Sequence, residues 1–334
     1  MESSHWDVVH SPADIARYHQ LGVWADTPLS DYVRRARATR PQHRAFFTDS
    51  SRVSWAHYDD MASQLAAALV AAGLQRSQHL GVYLPDGPSV HIAYLAAERA
   101  GLAVVGISPR AGTQEIVHLL RATEAAALLT QDSIRGRSAQ ELGDELTSQG
   151  LGVVPTIVVP DLAQTGPHAL DVDGTSVPLP STQDANELIA GRGLHPDDLV
   201  LLNSTSGTTG LPKVVMHNEN HLLYFSQLAI EAGRLTDEDV FLSAVPSPYV
   251  FGLWSAHFAP AMLGAPTGLV ERFDATALLE LVAREQVTVM ACVTTQMIML
   301  LQEPTATERD LRSLRLIFTG ESRCLSPVLP SSSS

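Results

Sequence analysis

The chain has almost no lysine and almost no cysteine. Of its 22 basic side chains only Lys213 is a lysine, and its two cysteines are Cys292 and Cys324. Two cysteines cannot build the disulfide framework of a small secreted domain or a four-cysteine zinc ribbon. Because both occur in apolar or nearly apolar stretches, we expect buried thiols in a reducing compartment.

Positive charge and long apolar runs are also scarce. The chain carries 36 acidic residues and a net charge of -14, whereas binding to a nucleic-acid backbone requires a basic face. Its longest apolar stretches are too short or too interrupted to cross a bilayer. The N-terminus lacks the basic region and apolar run of a signal peptide. We therefore expect a cytoplasmic protein with no membrane span and no nucleic-acid partner.

What the chain does have is enough apolar residues for a large interior. Hydrophobic residues make up 45% of the chain. Its length of 334 residues exceeds what one hydrophobic core usually organises. Helical periodicity alternates with short apolar runs of strand length, and this alternation implies crossover connections between parallel strands. The sequence predicts an α/β fold of two packed subdomains, each with a mostly parallel sheet flanked by helices.

Local signals place individual elements. Ser54 is predicted to cap a helix that runs to Ala72, and Asp274 a helix that ends near Glu285. Further helices are predicted at 90–100, 113–123 and 220–234. Strands are predicted at 80–84, 103–107, 125–130, 199–202, 240–244, 287–292 and 314–318.

Composition divides the chain into five predicted segments. Residues 1–26 form an N-terminal extension and residues 27–160 a first α/β subdomain. Residues 161–198, rich in Pro, Gly, Ser, Thr and Asp, are predicted to be a linker. Residues 199–322 form the second subdomain, and residues 323–334 a tail rich in proline and serine.

One segment, residues 205–213, stands apart chemically. It follows a predicted strand and contains two glycines, several hydroxyl residues and the lone lysine. Small residues let a backbone approach an anion closely, and successive amides form a nest for phosphate oxygens. The Gly-x-x-Gly-x-x-Lys spacing differs from that of a P-loop. An ordinary polar loop has a similar composition, and the position of Lys213 favours phosphate binding.

The sequence TSGTTGLPK at 205–213 resembles the signature loop of the adenylate-forming superfamily. That group includes acyl-CoA synthetases, aryl-acid ligases, luciferases and peptide-synthetase adenylation domains. The resemblance extends through residues 54–84, 97–130, 246–253 (PSPYVFGL) and 314–321 (LRLIFTGE). It covers roughly residues 25 to 322, which correspond to the first part of a family member.

The resemblance implies an ATP-dependent carboxylate–CoA ligase that uses ATP, Mg²⁺ and coenzyme A. Its partners would be these small molecules and a carboxylic acid. Charge on the departing pyrophosphate must be neutralised in the first step, and the resemblance assigns this catalytic role to Lys213 and Thr208. The residues it implies for nucleotide binding are Thr205, Ser206, Gly207, Thr208, Thr209, Gly210, Lys213, Gly320 and Glu321. It also implies Thr209 beside the metal, and Tyr249, Phe251 and Gly252 at the acid pocket.

The resemblance also implies segments that this sequence does not contain. After residue 322 a family member supplies a Tyr-x-x-Thr-Glu segment, a ribose-binding aspartate and a C-terminal domain with a second lysine. Lys213 is the only lysine here, and the chain ends in two prolines and four serines. We therefore expect a truncated and impaired ligase, through truncation or a change of reading frame.

Two other functions stay open at this stage. A noncatalytic remnant would bind nucleotide phosphate or a partner without catalysing ligation. An amidase-like hydrolase would use Ser206 as nucleophile, although the chain has no Gly-x-Ser-x-Gly elbow and no second lysine. His217 and His221 are one helical turn apart, but no third ligand follows at a recognisable spacing. Solvated or capping histidines at a helix start are the simpler interpretation.

Overall fold

The computed structural model describes residues 10–152, 154–166, 168–205, 211–306 and 309–320. Within these residues the helices are α1 (Pro12–Gln20), α2 (Leu29–Thr39), α3 (Trp55–Ala71), α4 (Pro88–Ala100), α5 (Thr113–Ala122), α6 (Ala139–Ser148), α7 (Thr182–Leu188), α8 (Glu219–Gly233), α9 (Val250–Leu253), α10 (Ala259–Leu263), α11 (Ala275–Glu285) and α12 (Thr294–Gln302). A π-helical turn, Trp254–Phe258, joins α9 to α10. No helix in this part of the chain combines the length and apolar character that a membrane span requires.

The strands are short and mostly buried. They are β1 (Arg44–Phe47), β2 (Arg52–Ser54), β3 (His79–Tyr83), β4 (Ala103–Ile107), β5 (Ala127–Thr130), β6 (Ser133–Ile134), β7 (Arg137–Ser138), β8 (Thr156–Val158), β9 (Ala169–Val172), β10 (Thr175–Pro178), β11 (Leu199–Ser204), β12 (Val214–Asn218), β13 (Phe241–Ser243), β14 (Thr267–Leu269), β15 (Val289–Val293) and β16 (Leu316–Gly320). The predicted helices and strands are all present, with bounds shifted by a few residues. Ser54 caps α3 as predicted, because its hydroxyl accepts a hydrogen bond from the His57 N–H.

Two large sheets contain most of these strands. In the larger sheet the order is β10-β9-β8-β5-β3-β4-β11-β12, and in the smaller sheet it is β16-β15-β13-β14-β1-β2. The central pairs of both sheets are parallel, and the antiparallel pairs lie toward the edges. The α/β fold with mostly parallel, helix-flanked sheets is therefore confirmed.

Helices α3 and α4 lie between the two sheets. The largest apolar cluster contains residues of both helices together with Leu80 and Val104 of the larger sheet and Phe46 and Leu269 of the smaller one. A second cluster packs α5 and α6 on the other face of the larger sheet. The smaller sheet is covered on its far face by α11 and α12. Each sheet thus has apolar cover on both faces, as buried parallel strands require.

The sheets do not divide the chain at the predicted boundaries. Strands β1 and β2 come from the predicted first subdomain but pair within the smaller sheet, and β11 and β12 join the larger sheet. Residues 161–198, predicted to be a linker, include β9, β10 and α7. Periodicity locates a strand but says nothing about its neighbours, which is why the boundaries and the pairing differ.

The N-terminal segment is attached to the rest of the molecule. His19 Nε2 lies 3.0 Å from a carboxylate oxygen of Asp197, and the Ala25 N–H donates to Asn220 Oδ1 at 3.1 Å. Both partners lie near the start of α8. The described part of the predicted N-terminal extension, residues 10–26, therefore packs beside the β12–α8 junction.

Candidate functional site

The candidate site begins where β11 ends. Strands β3, β4 and β11 are parallel neighbours, so their carboxyl ends meet at one edge of the larger sheet. Crevices at this edge are where open α/β sheets bind ligands. Residues 205–213 begin directly after β11 at this edge.

Thr205 and Lys213 form the two ends of a hairpin connection between β11 and β12. Ser204 is paired with Val214 across the antiparallel strands, and the Thr205 N–H donates to the Lys213 carbonyl at 3.0 Å. Both residues are exposed, and Lys213 has no ion pair within the part of the chain that the structure describes. Its ammonium group is therefore available to an external anion.

The remaining residues of the predicted phosphate loop are outside the described residues. These are Ser206, Gly207, Thr208, Thr209 and Gly210, and Glu321 also lies outside them. Their predicted roles stay predictions.

The predicted acid-pocket residues lie together at the start of α9. The Tyr249 N–H donates to the Pro246 carbonyl at 3.3 Å, which turns the chain from the end of β13 into the helix. A Cβ atom on Gly252 would lie only 2.1 Å from the Pro246 carbonyl oxygen. This close approach requires glycine, and it fixes the direction in which Tyr249 and Phe251 leave the turn.

Phe251 connects this turn to the end of β16. Its ring is so close to Gly320 that a Cβ atom there would come within 2.9 Å of it. The Phe251 ring also stacks on Trp254 at 5.7 Å between centroids, and Phe318 meets Trp254 edge-on at 4.7 Å. The structure therefore brings Tyr249, Phe251, Gly252 and Gly320 into one group beside an aromatic wall.

A buried hydroxyl supports the same turn. Ser255 lies in the π-helical turn, and its Oγ is 2.8 Å from Ser243 Oγ and donates to the carbonyls of Phe251 and Gly252. A π-helical turn inside a helix is rare and frequently occurs at functional sites. No sequence pattern pointed to Ser255, because its role depends on this local geometry.

Asp86 links the ends of the two sheets. It follows β3, and its Oδ1 accepts a hydrogen bond of 2.7 Å from the Ser247 N–H, close to the Tyr249 turn. Ser247 Oγ lies 3.3 Å from His91 Nε2 in α4. Burial raises the pKa of Asp86 to about 6, and the Ser247 N–H opposes that rise. No role was predicted for Asp86, although its place after a parallel strand was an available signal.

The phosphate-loop ends and the aromatic group are not in direct hydrogen-bond or ring contact among the described residues. The end of β4 lies between them. Pro248, next to Tyr249, packs against Gly106 of β4, and β4 pairs with β11. A cleft of about 460 Å³ opens beside Asp86, but none of the predicted site residues that the structure describes line it.

The histidine pair agrees only in part with its sequence-based interpretation. His217 is buried, and its Nε2 is 3.0 Å from Asn203 Oδ1. The residue that caps α8 is Asn218, whose side chain accepts a hydrogen bond from the His221 N–H. Neither histidine is the cap and His217 is not solvated, but His221 is exposed in the first turn of α8, as a solvated histidine at a helix start would be.

The chain is similar to a protein family whose model is described as AMP-binding enzyme, which matches residues 33–330. It is 28% identical over 277 residues to 4-coumarate–CoA ligase 1 of Oryza sativa subsp. japonica, covering 80% of this chain and 47% of the relative. It is 27% identical over 308 residues to the medium-chain fatty-acid–CoA ligase of Escherichia coli (strain K12), covering 91% and 53%. The chain thus spans about half the length of the curated relatives it matches.

Solved structures give the same fold. The apo structure of Mycobacterium smegmatis MbtA has a TM-score of 0.76 at 23% identity, covering 95% of this chain and 56% of that one. The anthranilate CoA ligase AuaEII, solved in complex with anthranoyl-AMP, has a TM-score of 0.73 at 21% identity, covering 90% and 56%. At these identities the likeness concerns the fold alone.

Proposed function

The chain belongs to the AMP-binding enzyme family, which is the adenylate-forming superfamily, and on that premise we propose that it carries the ATP- and acid-binding part of a carboxylate–CoA ligase. The observation that carries the proposal is the hairpin closed by Thr205 and Lys213 at the carboxyl end of β11. It presents the only lysine of the chain, without an ionic partner in the described residues, at a ligand-binding edge of the sheet.

The proposed reaction has two steps. A carboxylate oxygen attacks the α-phosphorus of ATP, the bond from that phosphorus to the bridging oxygen breaks, and pyrophosphate leaves from the acyl-adenylate. The sulfur of coenzyme A then attacks the acyl carbon, loses its proton to solvent, and displaces AMP. The first step develops charge on the β- and γ-phosphates, so catalysis depends on positioning and on neutralising that charge.

The hairpin loop supplies these groups. Lys213 places a positive charge beside the phosphates, and Thr208 donates from its hydroxyl. The backbone and hydroxyl donors of Thr205, Ser206, Gly207, Thr209 and Gly210 hold the phosphate oxygens. Hydroxyl and phosphate oxygens are the donors that Mg²⁺ prefers, so the Thr209 hydroxyl together with the phosphates fits this ion, which would supply further charge neutralisation.

The acid and the adenine lie on the other side of the site in this proposal. Gly320 and Glu321 border the nucleotide, and Tyr249, Phe251 and Gly252 border the acid. The stacked Phe251 and Trp254 rings form a flat apolar wall, and Phe251 fills the space beside Gly320. This arrangement supports an aromatic or short acid over a long, flexible acyl chain, which would need a deeper channel.

Carboxylate-dependent ATP–pyrophosphate exchange by the full chain tests the proposal. We expect exchange with aromatic and short acids that exceeds exchange with long-chain acids. Lys213→Ala should reduce the exchange by 10²-fold or more, the usual scale for one charge-stabilising donor. Arg312→Ala is the matched control, because that arginine is exposed and, among the described residues, forms its ion pair with Asp310, and it should leave the exchange unchanged.

The other functions predict different outcomes. A noncatalytic remnant would bind ATP, measurable by calorimetry and weakened by Lys213→Ala, without exchange for any acid. An amidase-like hydrolase would cleave amides without ATP and would lose this activity in Ser206→Ala. Exchange that survives Lys213→Ala at the wild-type rate would contradict the assignment of the loop.

A further inference from the structure

Two imidazole rings face each other at the junction of β12 and α8. His217 lies next to the last residue of β12, His221 lies in the first turn of α8, and their Nδ1 atoms are 3.5 Å apart. The ring centroids are 5.4 Å apart with an angle of 31° between the planes. The hydrogen bond from the His221 N–H to the side chain of Asn218 holds the backbone at this junction.

A hydrogen bond to β11 fixes the tautomer of His217. Its Nε2 is 3.0 Å from Asn203 Oδ1, which only accepts, so the proton of a neutral His217 resides on Nε2. The lone pair is then on Nδ1 and points toward His221. An unprotonated ring nitrogen with an available lone pair is the form in which imidazole binds a metal ion.

The distance between the two nitrogens suits a shared ion better than a hydrogen bond. A separation of 3.5 Å is at the long limit for N–H···N bonding. Two imidazole ligands at about 2.0–2.1 Å from one tetrahedral ion have their nitrogens about 3.4 Å apart. A histidine that binds a metal typically donates a hydrogen bond from its other ring nitrogen to a neighbouring oxygen. His217 makes such a bond to Asn203.

A third histidine is close to this pair. The His10 ring packs edge-on against His221 with 6.4 Å between centroids, and its Nε2 is buried without a partner in the described part of the chain. No three His, Cys, Asp or Glu side chains in that part are already arranged around one point. His217 and His221, whose ring nitrogens already face each other, are the two ligands that the geometry supplies, and His10 is the neighbouring imidazole.

We propose that His217 and His221 bind a divalent transition-metal ion such as Zn²⁺ or Co²⁺, with His10 as an additional nitrogen donor. Imidazole is a ligand that these borderline ions favour. His221 is exposed, so the ion can enter from solvent and water can complete its coordination. The bound ion connects the N-terminal segment, β12 and α8, and through Asn203 it stiffens β11 two residues before Thr205.

Metal titration of the full chain, freed of any affinity tag, tests this site. We expect Co²⁺ to bind one-to-one with visible ligand-field absorption, and Zn²⁺ to displace it and raise the Tm. His221→Ala removes an exposed ligand with little effect on folding, and it should weaken binding of both ions at least tenfold. His168→Ala is the control, because the side chain of this half-buried histidine hydrogen-bonds the nearby Gln164 carbonyl, away from the pair, and the variant should bind the ions like wild type.

Two further variants test the roles of the supporting groups. Asn203→Ala keeps both ligands but removes the acceptor that orients His217, so we expect a 10–100-fold loss of affinity. His10→Ala should shift the Co²⁺ absorption toward a site with fewer nitrogen ligands. The absence of one-to-one binding, or equal affinity in wild type and His221→Ala, would overturn the proposal. Either result would leave the proposed ligase function untouched, because its readout is pyrophosphate exchange.

Discussion

At the scale of single residues, Gly252 and Gly143 show how differently two helical glycines constrain the chain. A Cβ atom on Gly252 would overlap the Pro246 carbonyl, whereas one on Gly143 in α6 meets nothing within 4 Å. Backbone atoms cannot yield as a flexible side chain can. Gly252 is therefore required by packing, and Gly143 only weakens its helix.

Alanine substitutions should separate the two cases. We expect Gly252→Ala to lower the free energy of unfolding by about 2 kcal/mol or more through overpacking. Gly143→Ala should raise it by about 0.5–1 kcal/mol, because alanine loses less backbone entropy in a helix. Urea unfolding of the two variants beside wild type measures both effects. Equal stabilities would contradict the close approach at Gly252.

The titratable groups of His257 and Asp86 give opposite pH dependences of stability. Burial lowers the pKa of His257 to about 3, so between pH 6.5 and 3 the unfolded chain binds a proton that the folded chain does not. Stability from this group is lost as pH falls. Burial raises the pKa of Asp86 to about 6, so its folded form binds the extra proton between about pH 4 and 6. Stability from Asp86 is lost as pH rises.

One substitution at each residue separates the two contributions to the pH dependence of the free energy of unfolding. Relative to wild type, we expect His257→Gln to gain up to about 1.4 kcal/mol of stability per pH unit as pH falls from 6 to 4. Over the same range Asp86→Asn should lose stability relative to wild type. Urea unfolding at several pH values measures both differences. Parallel curves for all three proteins would show that neither group has the stated pKa.

At the scale of elements, helix starts were the most predictable feature. Asp274 caps α11 as the sequence indicated, because its Oδ1 accepts the Ala277 N–H at 2.9 Å. A short polar side chain before an apolar helical stripe satisfies an otherwise free backbone donor, and this requirement is local. Local requirements can be read directly from a sequence.

Removing this cap gives a direct test. We expect Asp274→Ala to lower the free energy of unfolding by about 1 kcal/mol, since one N-terminal amide of α11 loses its acceptor. Asp274→Asn keeps an accepting oxygen and should stay within a few tenths of a kcal/mol of wild type. Thermal unfolding followed by circular dichroism compares the three proteins. An equal loss in both variants would point to charge instead of capping.

The β9–β10 hairpin was missed although its turn carried a signal. Asp173 and Gly174 both have positive φ, of 48° and 85°, and they connect the two strands. Asp-Gly is a preferred pair for such two-residue turns. The flanking strands expose most of their side chains, so they lack the apolar alternation that identifies a buried strand, and the segment was interpreted as a linker.

At the scale of the whole molecule, the pairing between strands that are distant in the chain could not be predicted from the sequence. Alternating helices and strands predicted parallel sheets, but nothing local indicated that β1 would pair with β14 or β11 with β4. The candidate site shows the same limit. Thr205 and Lys213 belong to one loop and could be grouped from the sequence, whereas the contact of Asp86 with Ser247 depends on how the two sheets pack.

Strand sharing predicts that neither half of the chain folds alone. A fragment of residues 1–198 exposes the edge of β4 that pairs with β11, and it leaves β1 and β2 without β14. We expect this fragment and residues 199–334 to be aggregated or noncooperative when expressed separately, and to form a soluble complex when expressed together. Gel filtration and thermal unfolding would show this. A cooperative melt of residues 1–198 alone would support two independent subdomains.

The hairpin that ends at Lys213 contains the one site at which a lysine-specific protease can cleave the chain. A protease that cleaves only after lysine can cut this chain at one peptide bond, between Lys213 and Val214. The pairing of β11 with β12 and the packing on either side would hold the two pieces together after the cut. The rate of that cut then reports whether the loop is open or covered. A nucleotide that lies on the loop would slow it, in a measurement that needs neither the acid nor turnover.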